Sequence, residues 1–282
     1  MITCNLMGGL GNQLFQIFAT ISYAIKSRND FKFLNAEQLG GGSTTLRYTF
    51  WNTLLYRLKP FLIDDIPLNI RVIRERGFTY NELPVYEMVG NDSLIFGYFQ
   101  SYKYFYENYD TIYKLLSISG TKAKLLDKIC YDEFYFKDTI SMHFRIGDYK
   151  KIQHVHPLMT KDYYDRCLEF ITSKKPDTNF IVMYFCEDCD IEDVTKIVKY
   201  LEGKFVNFKF IRGDNKLADW EQMLLMSCCH HNIIANSSFS WWSAYLNEWS
   251  DKMVCYPSVW FGPSAPHNTS DLCPPDWNKI MA

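Results

Sequence analysis

Long apolar runs are missing from this chain: no stretch approaches the roughly 18 apolar residues of a membrane-spanning helix, so no integral membrane segment is expected. An excess of one charge is missing too. Thirty Lys and Arg against 32 Asp and Glu leave a net charge of −2, with no basic field for nucleic acid and no acidic tail. No secretory leader pattern precedes the expected first strand, and no internal repeat or low-complexity tract is present. Disulfides are not required, because 282 residues can bury a substantial core unaided. The nine cysteines are an odd number, scattered and often inside apolar runs, which fits reduced thiols and a cytoplasmic location. Aromatic residues, by contrast, reach 17%, a content suited to stacking on flat ligands or sugar faces.

Familiar phosphate loops are also incomplete. Residues 7–16 read MGGLGNQLFQ, but the third glycine of a dinucleotide fingerprint is absent, and so is the G-K-[ST] of a P-loop. What remains is a strand from Ile2 to Met7, a tight turn, and a helix with Leu14, Ile17, Phe18, Ile21, Ala24 and Ile25 on its apolar face. A bare strand-to-helix turn explains the glycines. Adjacent Asn12 and Gln13 beside Gly11 tilt the reading toward sugar hydroxyls, which paired amides can read as donors and acceptors.

Mixed elements fill the first half: a short strand at 31–35, a loop GGGSTTLRYTFWN, a helix over 51–63, strands LNIRVIRE and DSLIFGYFQ, then a helical hairpin up to about residue 130. From about 137 strands and helices alternate regularly through KMVCYP, which predicts a doubly wound parallel sheet. A linker near 131–137 divides the expected domains, 1–136 and 137–282. In such sheets ligands bind just past the carboxyl ends of the strands, which selects His143-Phe144-Arg145-Ile146-Gly147-Asp148, Cys186-Glu187-Asp188 and Ala235-Asn236-Ser237-Ser238-Phe239-Ser240.

Strand alternation puts His143 and Arg145 on one face with Asp148 beyond them. Arginine there can clamp a phosphate bidentately, and the carboxylate can take a proton or fix the arginine; a plain strand-end ion pair is the competing explanation. Ser237 or Ser238 can be an ordinary helix N-cap or part of an anion site at a helix N-terminus, while Trp241 and Trp242 read as core. Several patterns carry little. Cys186 and Cys189 lack a second pair for zinc. Asp188-Cys189-Asp190 matches the DxD metal motif of many sugar transferases, but aspartate is equally expected to cap the helix that follows. Cys228-Cys229-His230-His231 cannot converge on one ion from adjacent positions. No G-x-S-x-G elbow is present.

HFRIGD resembles the HxRxxD motif of the α-1,2-, α-1,6- and protein O-fucosyltransferase superfamily. With GGLGNQLFQ, the block LMSCCHHNIIANSSFSWWSAYLN and the ending CYPSVWFGP with CPPDWNKI, the chain resembles the bacterial α-1,2-fucosyltransferases from residue 5 to about 280. That resemblance implies a GT-B-like α/β fold, two Rossmann-like domains facing across a cleft, with GDP-β-L-fucose held by the C-terminal domain and the acceptor met by the N-terminal one. It implies inverting transfer of fucose to O2 of a terminal β-galactoside without an obligatory metal or other cofactor. Arg145 would bear on the diphosphate with Asn236, Ser237, Ser238 and Ser240 completing the donor site, His143 would lie near the nucleoside, and Gly11, Asn12 and Gln13 would face fucose or acceptor. Asp148 is the leading catalytic base, alongside Arg145. One departure is clear: where related sequences place an acidic residue for guanine, this chain has Gln222, with Glu221 beside it. The expected partners are GDP-fucose and a galactose-terminated glycan, with no nucleic acid and with room for peripheral membrane contact. Two alternatives stand: a fucosyltransferase of another linkage or acceptor, and a non-catalytic carbohydrate-binding protein with a degenerate transferase fold.

Overall fold

A computed structural model describes residues 1–40, 45–84, 92–129 and 136–282. The chain divides into two compact units, Met1–Thr121 with His267–Pro274, and Lys122–Pro266 with Pro275–Ala282. The division therefore falls between Thr121 and Lys122 rather than near 136/137, and a late segment returns to the first unit. Most of the expected linker at 131–137 lies outside the described residues.

In the first unit β1 (Ile2–Cys4) leads into α1 (Leu10–Lys26), followed by β2 (Phe33–Leu34), β3 (Gln38–Leu39), β4 (Arg47–Tyr48), β5 (Leu62–Ile63), β6 (Arg71–Arg74) and β7 (Ser93–Phe96), then α2 (Tyr109–Leu115) and α3 (Ile118–Ile129), which runs on into the second unit. A parallel sheet has the order β1-β7-β6, β2 pairs with β5, and β3 with β4 forms an antiparallel hairpin. Part of the stretch expected as loop is thus strand β4, while residues 41–44 lie outside the described residues. The expected helix over 51–63 is a set of turns ending in a 3-10 segment, Tyr56–Phe61. Its apolar spacing is helical, but Pro60 removes a backbone donor and clashes with the preceding turn of an α-helix. Gly8 has φ +75°, and a Cβ there would collide with the Asn12 amide, so glycine is required where β1 turns into α1.

The second unit holds β8 (Thr139–His143), α4 (Lys161–Lys174), β9 (Ile181–Phe185), α5 (Ile191–Lys204), β10 (Lys209–Arg212), α6 (Asp219–Cys228), β11 (His231–Ile233), α7 (Ser238–Tyr245), β12 (Val254–Pro257) and β13 (Asn278–Ile280). All six strands are parallel in the order β10-β9-β8-β11-β12-β13. Numbered within this unit, that is 3-2-1-4-5-6, the doubly wound arrangement expected. Ile140 and Met142 of β8 join Tyr163, Leu168, Val194 and Leu201 of α4 and α5 in the core. The alternate residue Ser141 takes the opposite face, where its hydroxyl accepts from Asn232 Nδ2 at 2.7 Å. Asn247 Nδ2 donates in turn to Asn232 Oδ1 at 2.7 Å, so buried polar groups in this layer are satisfied by one another. Trp241 and Trp242 are fully buried, as read from the sequence. No helix of the described residues is long and apolar enough to cross a membrane, and no disulfide joins the described cysteines.

Candidate functional site

In the second unit the strand order reverses between β8 and β11, and a crevice for ligands forms where neighbouring strands send their connections to opposite faces. The register brings three of the selected segments to one level. His143 pairs with Phe185, and Met142 with Ile233; Arg145 and Glu187 are each two residues past the first pair, and Arg145 and Asn236 are each three past the second. Arg145 donates through one terminal nitrogen to Glu187 Oε1 and through the other to Asp148 Oδ1 at 2.5 Å. Its guanidinium lies 4.9 Å from the centre of the Tyr149 ring, a cation–π contact. Tyr149 then reaches across to β11, its hydroxyl donating to Asn236 O at 3.4 Å.

Asp190 fixes the loop that carries Asp148. Expected as a helix cap, it makes no side-chain capping bond; instead its buried carboxylate accepts from Gly147 N at 2.6 Å and Lys150 Nζ at 3.1 Å. Gly147 has φ +27°, and a Cβ there would stand 3.0 Å from Glu187 Oε2, so a side chain would push Glu187 off Arg145. Tyr149 had no signal in the sequence; Glu187 stood in a selected strand-end segment without a role of its own, and Asp190 was weighed only as part of the DxD match or as a cap.

His143 is buried, its ring 5.5 Å from that of Phe239, and its Nδ1 has no hydrogen-bond partner. Burial, then the nearby Arg145 charge, lowers its pKa to about 3, so the ring is neutral at physiological pH. Asn236 is buried as well. Its Nδ2 donates to Pro157 O at 3.0 Å and Trp260 O at 3.1 Å, and its Oδ1 is left without a partner. Ser237 caps α7, its hydroxyl accepting from Phe239 N at 3.3 Å, while the Ser240 hydroxyl turns back to Ala235 O and Ser237 O, each at 3.4 Å. Ser238, half-buried, is the first residue of α7. The capping role and the helix N-terminus at the crevice therefore coexist, and the structure brings His143, Arg145, Asp148, Asn236 and Ser237 together.

Gln222 and Glu221 sit on α6. Both oxygens of Glu221 are engaged, Oε2 by Ala218 N at 2.9 Å and Oε1 by Lys128 Nζ at 2.6 Å. Gln222 Nε2 donates to Leu217 O at 2.9 Å. Leu217, Arg212 and Asp214 line a cavity of about 270 Å³ in the same unit. In the first unit Gln13 is fully buried, and its Nε2 ties Gly8 O at 3.0 Å to Tyr48 O at 2.9 Å. Its amide nitrogen is spent on backbone, so Gln13 holds the turn instead of presenting a donor to sugar. Gly11 is buried in α1, and half-buried Asn12 accepts from Gln100 Nε2 at 2.9 Å.

Glu187, Cys189 and Asp190 bring three potential metal-ligand atoms within 4.8 Å of one another. Two of the three already serve cations, Glu187 on Arg145 and Asp190 on Lys150. Asp188 is bound to Arg212 and to Asn215. A divalent ion would have to displace these partners, so the donor set fits a metal poorly. His230 is likewise committed, with Nε2 2.8 Å from Asp251 Oδ1 and Nδ1 accepting from Asp138 N at 3.3 Å.

Residues 81–280 match glycosyl transferase family 11. Two Escherichia coli proteins align along nearly their whole lengths: the O-antigen biosynthesis glycosyltransferase WbnK, 28% identical over 99% of this chain and 100% of its own, and an alpha-1,2-colitosyltransferase, 27% identical over 99% of each. A solved structure of an Arabidopsis thaliana FUT1 variant in complex with GDP has a TM-score of 0.45 at 9% identity, over 90% of this chain and 69% of that one.

Proposed function

Because the chain belongs to glycosyl transferase family 11, we propose that it transfers L-fucose, with inversion, from GDP-β-L-fucose to O2 of a terminal β-galactoside. The observation that carries the reading is Arg145 just past the end of β8 at the sheet's switch point, linked through Tyr149 to Asn236, which immediately precedes the Ser237 cap of α7. Guanidinium and helix N–H groups together make a site for a diphosphate. In the reaction the acceptor oxygen bonds to C1 of the fucose as the bond from C1 to phosphate oxygen breaks, and GDP carries away the electron pair. Arg145 and the α7 amides face that growing negative charge. Only part of the five-donor guanidinium is occupied by Glu187 and Asp148. Asp148, about half exposed, takes the hydroxyl proton. Gln222 reads guanine through its carbonyl, His143 lines the nucleoside as a neutral ring, and Asn12 contributes on the sugar side. The reaction runs without a metal in the cytoplasm, where nucleotide sugars are made.

Incubation with GDP-fucose and lactose in EDTA, followed by NMR of the product, tests this directly. A 2′-fucosylated trisaccharide is the expected product. Another linkage would overturn the assignment to O2, and loss of product on adding EDTA would overturn metal independence. Colitose, the sugar named for one relative, is the competing donor sugar; turnover of GDP-colitose but not GDP-fucose would replace fucose in the proposal. Asp148→Asn should lower kcat by about 10²- to 10⁴-fold, the usual worth of a general base, with GDP-fucose binding retained. Near-normal turnover would remove Asp148 as the base.

A further inference from the structure

The first unit contains a cavity of about 570 Å³, within the span of roughly 300–1,000 Å³ common for small-molecule sites. It is lined by Tyr48 and Trp51, by Asn35 and Asn52, and by Glu37 and Lys59. One acid and one base cancel, so neither an anion nor a cation is selected. An open aromatic ring, Tyr48, beside these polar groups matches a hexose, which offers an apolar face for stacking and vicinal hydroxyls for bidentate hydrogen bonds. Trp51 is buried, so it backs the wall and leaves the stacking to Tyr48. Tyr48, in contrast, is 62% exposed, which leaves its ring open to stack on a sugar face.

The walls are held in place. Tyr48 pairs with Gln38 in the β3–β4 hairpin, its carbonyl accepts from the buried Gln13 amide, and the next residue, Thr49, donates its hydroxyl to Ala36 O at 2.7 Å. Trp51 packs on Phe33, with ring centres 5.7 Å apart. Fixed walls lower the ordering cost of binding, and they give Gln13 an indirect part in sugar recognition.

We propose that this cavity is a saccharide subsite that takes a neutral hexose of the acceptor glycan. As an acceptor subsite it rests on the transferase reading above; as a sugar site it does not. The test is ligand-observed saturation-transfer NMR on the full chain with lactose and a panel of neutral oligosaccharides, for the wild type, Tyr48→Ala and Asn52→Ala. Both positions are exposed, so the variants should melt with the wild type. At least one oligosaccharide should bind the wild type and bind both variants about 10-fold or more weakly, as expected on losing a stacking ring or a hydrogen bond. Absence of binding by every sugar, or equal binding by the variants, would overturn the subsite. Transfer assays on the same proteins separate the two ideas. Weakened binding with no sugar transfer would leave the subsite and sink the transferase reading, whereas transfer with an unchanged acceptor KM in both variants would do the reverse.

Discussion

Arg145→Ala is expected to lower kcat/KM by at least about 10²- to 10³-fold, the usual loss of a group that stabilises transition-state charge. The reasoning is geometric. Arg145 is the guanidinium that the β8 register delivers to the switch point, with Glu187 and Asp148 holding its fork from two sides. Removing it leaves two carboxylates at the place proposed for the diphosphate, so donor affinity should fall together with turnover. Arg145→Lys keeps the charge but not the fork, and a point charge cannot span two oxygens in the same plane. That variant should recover part of the donor affinity and little of kcat. Steady-state kinetics in GDP-fucose, with melting curves to show that both variants fold, provide the check. A loss under 10-fold in the alanine variant would take Arg145 out of the reaction.

Stability should fall steeply between about pH 6.5 and pH 3 because of two histidines. His143 and His231 both have pKa values lowered to about 3, chiefly by burial, with the charge of Arg145 adding to the first and His230 to the second. In the unfolded chain each takes a proton near the ordinary value of 6.5. The folded state thus binds fewer protons, and its advantage is complete above about pH 6.5 and is lost progressively as pH drops toward 3. At 1.36 kcal/mol per pH unit, each ring costs about 2 kcal/mol by about pH 5, or about 4 kcal/mol together. Asp251, lowered to about 2 by its contact with His230, contributes only below the ordinary carboxylate value of 3.8, so it adds nothing to the fall between pH 7 and pH 5. Urea unfolding of the wild type and His231→Asn from pH 7 to pH 5 measures the effect. The variant keeps an acceptor for Met253 N, the partner of His231 Nδ1 at 3.0 Å, and should lose about half the pH slope. A flat wild-type curve, or equal slopes, would contradict the assignment.

The second unit was readable in advance because its physics is local. Each of its first four strands is followed by a helix, and right-handed crossovers leave few ways to order parallel strands. The crevice rule then reached HFRIGD and ANSSFS without reference to any contact. Strand β13 was passed over, since three residues, Asn278–Ile280, give no alternation to read. Asp190 shows a different limit: an aspartate before a helix is a reasonable cap, and only the tertiary approach of Gly147 N turns it into an anchor. Gln13 and Glu221 follow the same pattern. Each is polar and near a motif, yet each is consumed by backbone or by a lysine that lies far away in sequence. The cavity of Tyr48 and Trp51 was hidden for the opposite reason, because its walls come from single residues of β4, β5 and a 3-10 segment together with the turns between them.

His267–Pro274 belongs to the first unit although the chain has already built five strands of the second. Asp271 anchors the excursion: its carbonyl accepts from Ser101 Oγ at 2.6 Å, one carboxylate oxygen accepts from Tyr80 N at 3.2 Å, and the other pairs with Lys103, while His267 stacks on Phe78. The two halves are therefore not separate genetic modules. A single crossover that joined this amino-terminal unit to a foreign carboxyl-terminal one would strand Ser101, Tyr80 and Lys103 without their partner, so exchange of the amino-terminal half between such enzymes requires the tail to travel with the head.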